Sequence, residues 1–199
     1  MSTWPRSRRS LVLAVALPGL LIGTIGIFHP AHLTDSSAQQ WLDLHVVLLP
    51  LFPLMALGPW LLARQAGAVA GWAALVLGYV FAMFYTGLDL VAGAAAGALT
   101  LAGSAGVNTM YGLGNDLAEV GVWAHLAAAV FVSGLVGARA GGRALPGMLL
   151  VIAASVSFLD SHIYWPGGVV TMYALALGWA ALAAVVPLRE SPPARADAA

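Results

Sequence analysis

The chain has 199 residues, of which 61% are hydrophobic and only 8% are charged, and its mean hydropathy is +0.90. Soluble globular domains carry about 25% charged residues, so this composition indicates an integral membrane protein. Eight arginines, the only basic residues besides histidine, balance eight acids, which leaves no positive excess to attract nucleic acid. The absence of cysteine excludes disulfides, thiolate metal sites and cysteine nucleophiles.

The first two hydrophobic runs predict two membrane-spanning helices. A bilayer core needs about 20 apolar residues per helix, and the first run covers residues 11–28. It lacks a small-x-small cleavage pattern, so we predict a retained helix rather than a signal peptide. The second run begins at a Ser-x-x-Gln capping box near residue 36 and continues to about residue 62, with Pro50, Pro53 and Pro59 expected to interrupt it.

Four further runs have the length of a membrane span, and they cover residues 66–86, 117–138, 144–164 and 168–188. The apolar segment at about 88–107 has almost the same length, so a seventh crossing has to be weighed. Six crossings with a cytoplasmic N-terminus place every arginine on the cytoplasmic side, as the positive-inside rule requires, whereas a seventh would move four of the eight outside.

The sequence therefore predicts an all-α integral membrane protein, a six-helix transmembrane bundle of the cell membrane with both termini cytoplasmic. The segment at about 88–107, rich in glycine and alanine, is expected to be re-entrant or surface-lying on the outer side. Residues 1–10 form a cytoplasmic N-terminal segment, residues 11–188 a single transmembrane domain, and residues 189–199 a disordered cytoplasmic tail.

On this topology the outer half of the protein collects all the histidines and no arginine. The histidines are His29, His32, His45, His125 and His162. Imidazole and carboxylate groups are the usual nitrogen and oxygen ligands of transition metals. We predict His32, His45, His125 and His162 as the metal ligands of an outer-leaflet pocket, and the pair His45 and His125, on separate helices, could also provide axial ligands of a haem.

Helical spacing places aromatic and acidic side chains beside these histidines. Trp41 and His45 share a helix face at i and i+4, as do Tyr85 and Asp89. The same spacing relates Glu119 to Trp123, and Asp160 and His162 end the fifth run together with Tyr164. The predicted cofactor-binding wall is Trp41, Tyr85, Trp123 and Tyr164, and the predicted acid/base groups are Asp89, Glu119 and Asp160. An interfacial aromatic belt and a neutral His125 bonded to a neighbouring helix are the structural alternatives.

Three functions fit this pattern, and metal or haem binding ranks slightly first. The alternative is a membrane-embedded enzyme that acts on a lipid or isoprenoid by carboxylate general acid/base catalysis. A third is a small proton-coupled transporter using Glu119 and His125, although no acid or histidine lies in the inner half of any span. The expected partners are the bilayer and a hydrophobic small-molecule substrate. The sequence His-Pro-Ala-His at residues 29–32 does not match the HExxH motif, so it does not indicate a zinc peptidase.

Overall fold

The computed structural model describes residues 7–189, and within them the regular structure is entirely helical. The α-helices are α1 (Arg8–Gly26), α2 (Ala38–Leu48), α3 (Leu57–Ala66), α4 (Ala68–Leu88), α5 (Ala96–Leu101), α6 (Val107–Ala140), α7 (Leu145–Ser157) and α8 (Gly167–Val185). Short 3-10 helices cover Phe52–Ala56 and Gly141–Ala144, and a π-helix covers Asp89–Ala95. The predicted disordered tail lies almost wholly outside the described residues, as does most of the N-terminal segment.

Five of the described helical stretches are long and apolar enough to cross a membrane, which confirms a multi-pass helical membrane protein. They are Arg8–Gly26, Ala38–Ala66, Ala68–Leu101, Val107–Ser157 and Gly167–Val185. The fourth is not a straight rod, because Gly141 has a φ of +61° and α7 packs back against α6. A methyl group at Gly137 would lie 2.9 Å from the sulfur of Met148, which shows how closely the two helices approach.

The two prolines that follow α2 end that helix as predicted. The helix stops at Leu48, and the chain passes through a turn containing Pro50 and the 3-10 helix Phe52–Ala56 before α3 begins. Proline lacks the backbone donor that an α-helix needs, which explains the break. Pro59 was expected to interrupt the helix too, but it lies in the first turn of α3, where the missing donor has no helical partner to lose.

The segment at about 88–107, expected to be re-entrant or surface-lying, is largely helical and is joined directly to α4. The helix of α4 continues through the π-helix into α5 and ends only before Gly103 and Gly106, which have φ values of +59° and +106°. Gly97 packs under α2, where a Cβ would lie 3.1 Å from the backbone nitrogen of Leu42. An apolar run without proline continues as helix, and its small residues let α2 lie against it.

Every described arginine lies at or beside a helix end on one side of the bundle, which we call the arginine end. These residues are Arg8, Arg9, Arg64, Arg139, Arg143 and Arg189. The Arg8 guanidinium donates to the carbonyls of Ala183 and Ala184 at 3.1 and 2.6 Å, and Arg139 donates to the carbonyl of Gln65. Cations are favourable at the carbonyl ends of helices. The loops after α1, α5 and α7 lie at the opposite end.

Candidate metal centre

Three histidines from separate parts of the chain converge at the end opposite the arginines. His29 follows α1, His45 lies in α2 and His162 follows α7. One ring nitrogen of each lies within 4.8 Å of the other two, and the Nε2 atoms of His29 and His45 are 3.4 Å apart. A tetrahedral ion with metal–nitrogen bonds of about 2.0–2.1 Å holds its nitrogens roughly 3.4 Å apart. We call these three residues the histidine cluster.

The hydrogen bonds of the other ring nitrogens set the tautomers of His29 and His45. Nδ1 of His29 is 2.7 Å from the carbonyl oxygen of Pro30, and Nδ1 of His45 is 2.7 Å from that of Trp41. A carbonyl only accepts, so each Nδ1 carries the proton and donates it. In the neutral rings both Nε2 atoms are therefore unprotonated, and these two acceptors lie 3.4 Å apart with no proton between them. A cation bound between them stabilises both, and a histidine that donates its second nitrogen to a carbonyl is the usual outer-shell arrangement of a metal ligand.

A buried carboxylate lies beside this pair of nitrogens. Asp89 is 1% exposed, and its Oδ1 is 3.9 Å from Nε2 of His45. Neither of its oxygens has a hydrogen-bond partner among the described residues. An unpartnered buried carboxylate is unfavourable unless a cation or a proton accompanies it. Asp89 begins the π-helix, a type of turn that is frequent at functional sites.

The π-helix also brings the backbone close enough for the His45 ring to lie directly on it. A Cβ at Gly93 would overlap ring atoms of His45, so only glycine leaves room for the ring in this position. The indole Nε1 of Trp41 donates to the carbonyl of Ala92 at 3.3 Å and joins α2 to the same turn. The π-helix therefore positions both His45 and Asp89.

His162 is held by its backbone and by a phenol. It has a φ of +25°, a value that a residue with a side chain rarely adopts and that tends to occur at functional positions. Its Nδ1 lies 2.7 Å from the hydroxyl of Tyr85, a side chain that is 1% exposed. This contact fixes the orientation of the His162 ring through Nδ1. The other ring nitrogen, Nε2, takes no part in it.

Burial keeps the loop members of the site in their uncharged forms. It lowers the pKa of His29, and it lowers the pKa of His162 well below the usual value, with His29 and His45 nearby adding to the effect. Burial also raises the pKa of the Tyr164 phenol to about 12. Neutral imidazole is the form that binds metal ions.

A cavity of about 230 Å³ adjoins the cluster. Its lining comprises Trp41, His45, Tyr85, Leu88, Asp89, Ala92, Gly93, Tyr111, Asn115, Ala118, Val122, Phe158, Leu159, Asp160, His162 and Tyr164. Asn115 and Asp160 are exposed, so the mouth lies between α6 and the loop after α7. Pockets for drug-sized ligands have about 300–1,000 Å³, so this one suits a smaller molecule.

Most of the residues predicted from the sequence line this one cavity. The structure brings together Trp41, His45, Tyr85, Asp89, Asp160, His162 and Tyr164. His32 is exposed in the loop after α1, and Glu119 and Trp123 lie exposed on α6, away from the cavity. His125 is buried against the rings of Phe81 and Phe158 and does not belong to the histidine cluster. Glu119 is exposed and His125 is buried, so the two residues named for a proton relay lie in different surroundings.

The sequence-based set of ligands did not include His29. Residues 29–32, His-Pro-Ala-His, link two histidines by spacing, but the loop directs only the first toward α2. The carbonyl that orients the ring of His29 belongs to the next residue, Pro30. A local sequence pattern does not reveal this, because it depends on how the loop folds.

Comparison of the chain with protein-family models, with curated proteins and with solved structures gave no match. Function is therefore inferred from the residues of the site alone.

Proposed function

We propose that this chain is a multi-pass membrane metalloprotein that binds one divalent transition-metal ion through His29, His45 and His162, with Asp89 supplying a neighbouring negative charge. The observation that carries this proposal is the pair of unprotonated Nε2 atoms of His29 and His45, 3.4 Å apart. A cation bound between two unprotonated nitrogens this close together stabilises both of them, and a third imidazole nitrogen lies within 4.8 Å of both.

The donor set favours zinc. Three imidazole nitrogens with a nearby carboxylate are typical zinc ligands, and the 3.4 Å separation of the His29 and His45 nitrogens fits the edge of a zinc tetrahedron. The separations within the cluster reach 4.8 Å, so binding of one ion by all three histidines requires the rings to move closer together. Copper(II) prefers a tetragonal arrangement of nitrogen and oxygen donors, for which a closely spaced group of three is less suitable.

A bare ion fits the histidine cluster better than a haem. The sequence suggested a haem between His45 and His125, but His125 is buried against Phe81 and Phe158 and does not belong to the cluster. Axial nitrogens stand about 4 Å apart on opposite faces of a porphyrin, given bonds of roughly 2 Å. The Nε2 atoms of His29 and His45 are closer than that, at 3.4 Å. The adjoining cavity of about 230 Å³ is also small for such a ligand.

A lipid-directed enzyme that uses carboxylates is the second candidate. It is favoured by the presence of Asp89 and Asp160 in the lining of one partly apolar cavity. Glu119, the third expected acid, does not line that cavity. The two candidates differ in their dependence on metal, because the carboxylate enzyme needs no bound ion.

The proposed topology has six crossings, with the arginine end in the cytoplasm and the histidine cluster on the outer side. The support comes from the described arginines, which all lie at one end of the bundle, as the positive-inside rule requires of a cytoplasmic face. The fold-back of α7 on α6 supplies the sixth crossing.

Metal analysis of the purified protein tests the proposed function. The wild-type chain in detergent should bind one equivalent of zinc, and His29→Ala should weaken binding by more than about 100-fold, since loss of even an outer-shell partner costs 10–100-fold. His32→Ala is the matched control, because His32 is an exposed histidine of the same loop. Circular dichroism establishes that the variants are folded. Absence of bound metal after reconstitution, or equal affinity of the two variants, would refute the proposal.

A further inference from the structure

The relation between the histidine cluster and the cavity bears on what the bound ion can do. His45, Asp89 and His162 line the cavity, whereas His29 is buried and does not line it. An ion held by the three histidines therefore has protein on the His29 side and the cavity on the other. Zinc sites with three protein ligands and an open fourth position are those that bind an exogenous molecule.

Asp89 offers a second contact to whatever occupies that open position. Both of its oxygens lack a hydrogen-bond partner among the described residues, and the side chain lines the cavity. In its ionised form the Asp89 carboxylate accepts hydrogen bonds and donates none. A molecule that bonds to the ion through an oxygen and carries an adjacent N–H or O–H group would satisfy both the ion and the carboxylate. Amide, hydroxamate and carboxylic acid groups have this pairing.

The remaining walls of the cavity limit the body of such a molecule. Leu88, Val122 and Phe158 provide buried apolar surface, and Asn115 and Asp160 stand exposed at the mouth. The volume of about 230 Å³ lies below the roughly 300–1,000 Å³ of pockets for drug-sized ligands. A single ring or a short branched chain suits this space.

We propose that the metal ion keeps an open coordination position toward this cavity, and that the cavity binds a small apolar molecule with an amide-type or acid-type head, its oxygen on the ion and its donor on Asp89. This inference rests on the proposed function, since it requires the ion at the histidine cluster. It goes further by assigning the site to a diffusible ligand rather than to a closed structural ion.

Cobalt-substituted full-length protein in detergent provides the test, because the visible spectrum of cobalt(II) reports its coordination. Benzohydroxamate and acetohydroxamate share a head and differ in the apolar body. We expect both to change the spectrum saturably, with benzohydroxamate binding at least about tenfold more tightly because its ring is buried. Ala118→Phe, which fills the cavity, should retain cobalt and lose this preference for benzohydroxamate. Ala127→Phe, at an exposed position of the same helix, should behave as wild type.

The outcomes separate this inference from the proposed function. A cobalt-loaded protein whose spectrum does not respond to either hydroxamate has a closed site, which overturns the inference and leaves the proposed function intact. Unchanged benzohydroxamate affinity in Ala118→Phe would place the ligand outside the cavity and also overturn it, as would removal of cobalt into solution by the probe. A folded protein that binds no cobalt and no zinc would overturn both proposals.

Discussion

Substitution of Gly93 by alanine is the smallest change that should disable the metal centre while leaving all of its ligands in place. The added Cβ would lie 2.8 Å from Nε2 of His45 and closer still to two of its ring carbons. Carbon atoms in contact normally lie about 3.5–4.0 Å apart, so the ring has to move by roughly 1 Å or more. The π-helix and α2 are packed together through Trp41 as well, which limits how far the backbone can give way.

The expected magnitudes follow from this displacement. Overpacking of a buried contact lowers the free energy of unfolding by about 1–3 kcal/mol. The better helix propensity of alanine restores up to about 1 kcal/mol of this stability. Metal–nitrogen bonds vary by only about 0.2 Å, so an ion held by His29 and His162 cannot follow a ring that has moved by 1 Å. We therefore expect Gly93→Ala to lower zinc affinity by at least about 10- to 100-fold while the protein remains folded.

Two matched glycines separate the effect on the site from the effect on packing. Gly97 lies in α5, where that helix packs against α2. In Gly97→Ala the added Cβ would lie 3.1 Å from the backbone nitrogen of Leu42, but it would not contact the histidine cluster. Gly112→Ala has nothing within 4 Å and should be neutral or stabilising. Zinc affinity is measured by competition with a chelator and stability by thermal unfolding. If Gly93→Ala binds zinc as tightly as Gly97→Ala and Gly112→Ala do, His45 is not a ligand and the reasoning is wrong.

Two further predictions concern the whole protein. Zinc at 100 times its Kd should stabilise the folded wild-type protein by about 2.7 kcal/mol and raise its Tm by roughly 5–10 °C. The Tm of His29→Ala should not rise when zinc is added. Equal shifts of Tm in the two proteins would contradict binding at the cluster. Because the sequence has no cysteine, a single cysteine placed at Gly141 or at Ala31 reports its own side of the membrane. Impermeant thiol reagents on intact cells should label Ala31→Cys and not Gly141→Cys, and the reverse pattern would refute the proposed orientation.

The elements that the sequence predicts well are those in which a local pattern has one physical solution. Long apolar runs without charge become helices, because a bilayer accepts no unpaired backbone groups. Pro50 and Pro53 end α2, since a proline cannot continue the hydrogen-bond ladder. The segment at about 88–107 is apolar enough for several arrangements, and composition does not distinguish a continued helix from a re-entrant one. The π-helix that begins at Asp89 depends on packing against α2, which is tertiary information.

The same distinction applies to the site. Trp41 with His45, and Tyr85 with Asp89, were paired by i and i+4 spacing, and all of them line the cavity. The first pair lies within α2, and Asp89 directly follows the last residue of α4. Loop residues carry no such spacing rule. His29 has the position that was assigned to His32, since the direction of a loop side chain depends on the turn that holds it.

The unsatisfied groups of the interior give the reason to interpret the histidine cluster as a binding site rather than as a polar core. Buried polar groups in a folded protein are normally paired, so each exception in the described residues needs a physical account. Thr86, His125 and Ser133 each leave one buried side-chain atom without a partner. Near His45, in contrast, two unsatisfied groups lie close together. One is the carboxylate of Asp89, which has no hydrogen-bond donor among the described residues and lies 3.9 Å from Nε2 of His45. The other is the pair of Nε2 atoms of His29 and His45, which have no proton between them. A single bound cation would satisfy both groups, with the imidazole nitrogens as its ligands and the carboxylate as a neighbouring negative charge. Two independent requirements that meet at the same point and share one solution favour the ion.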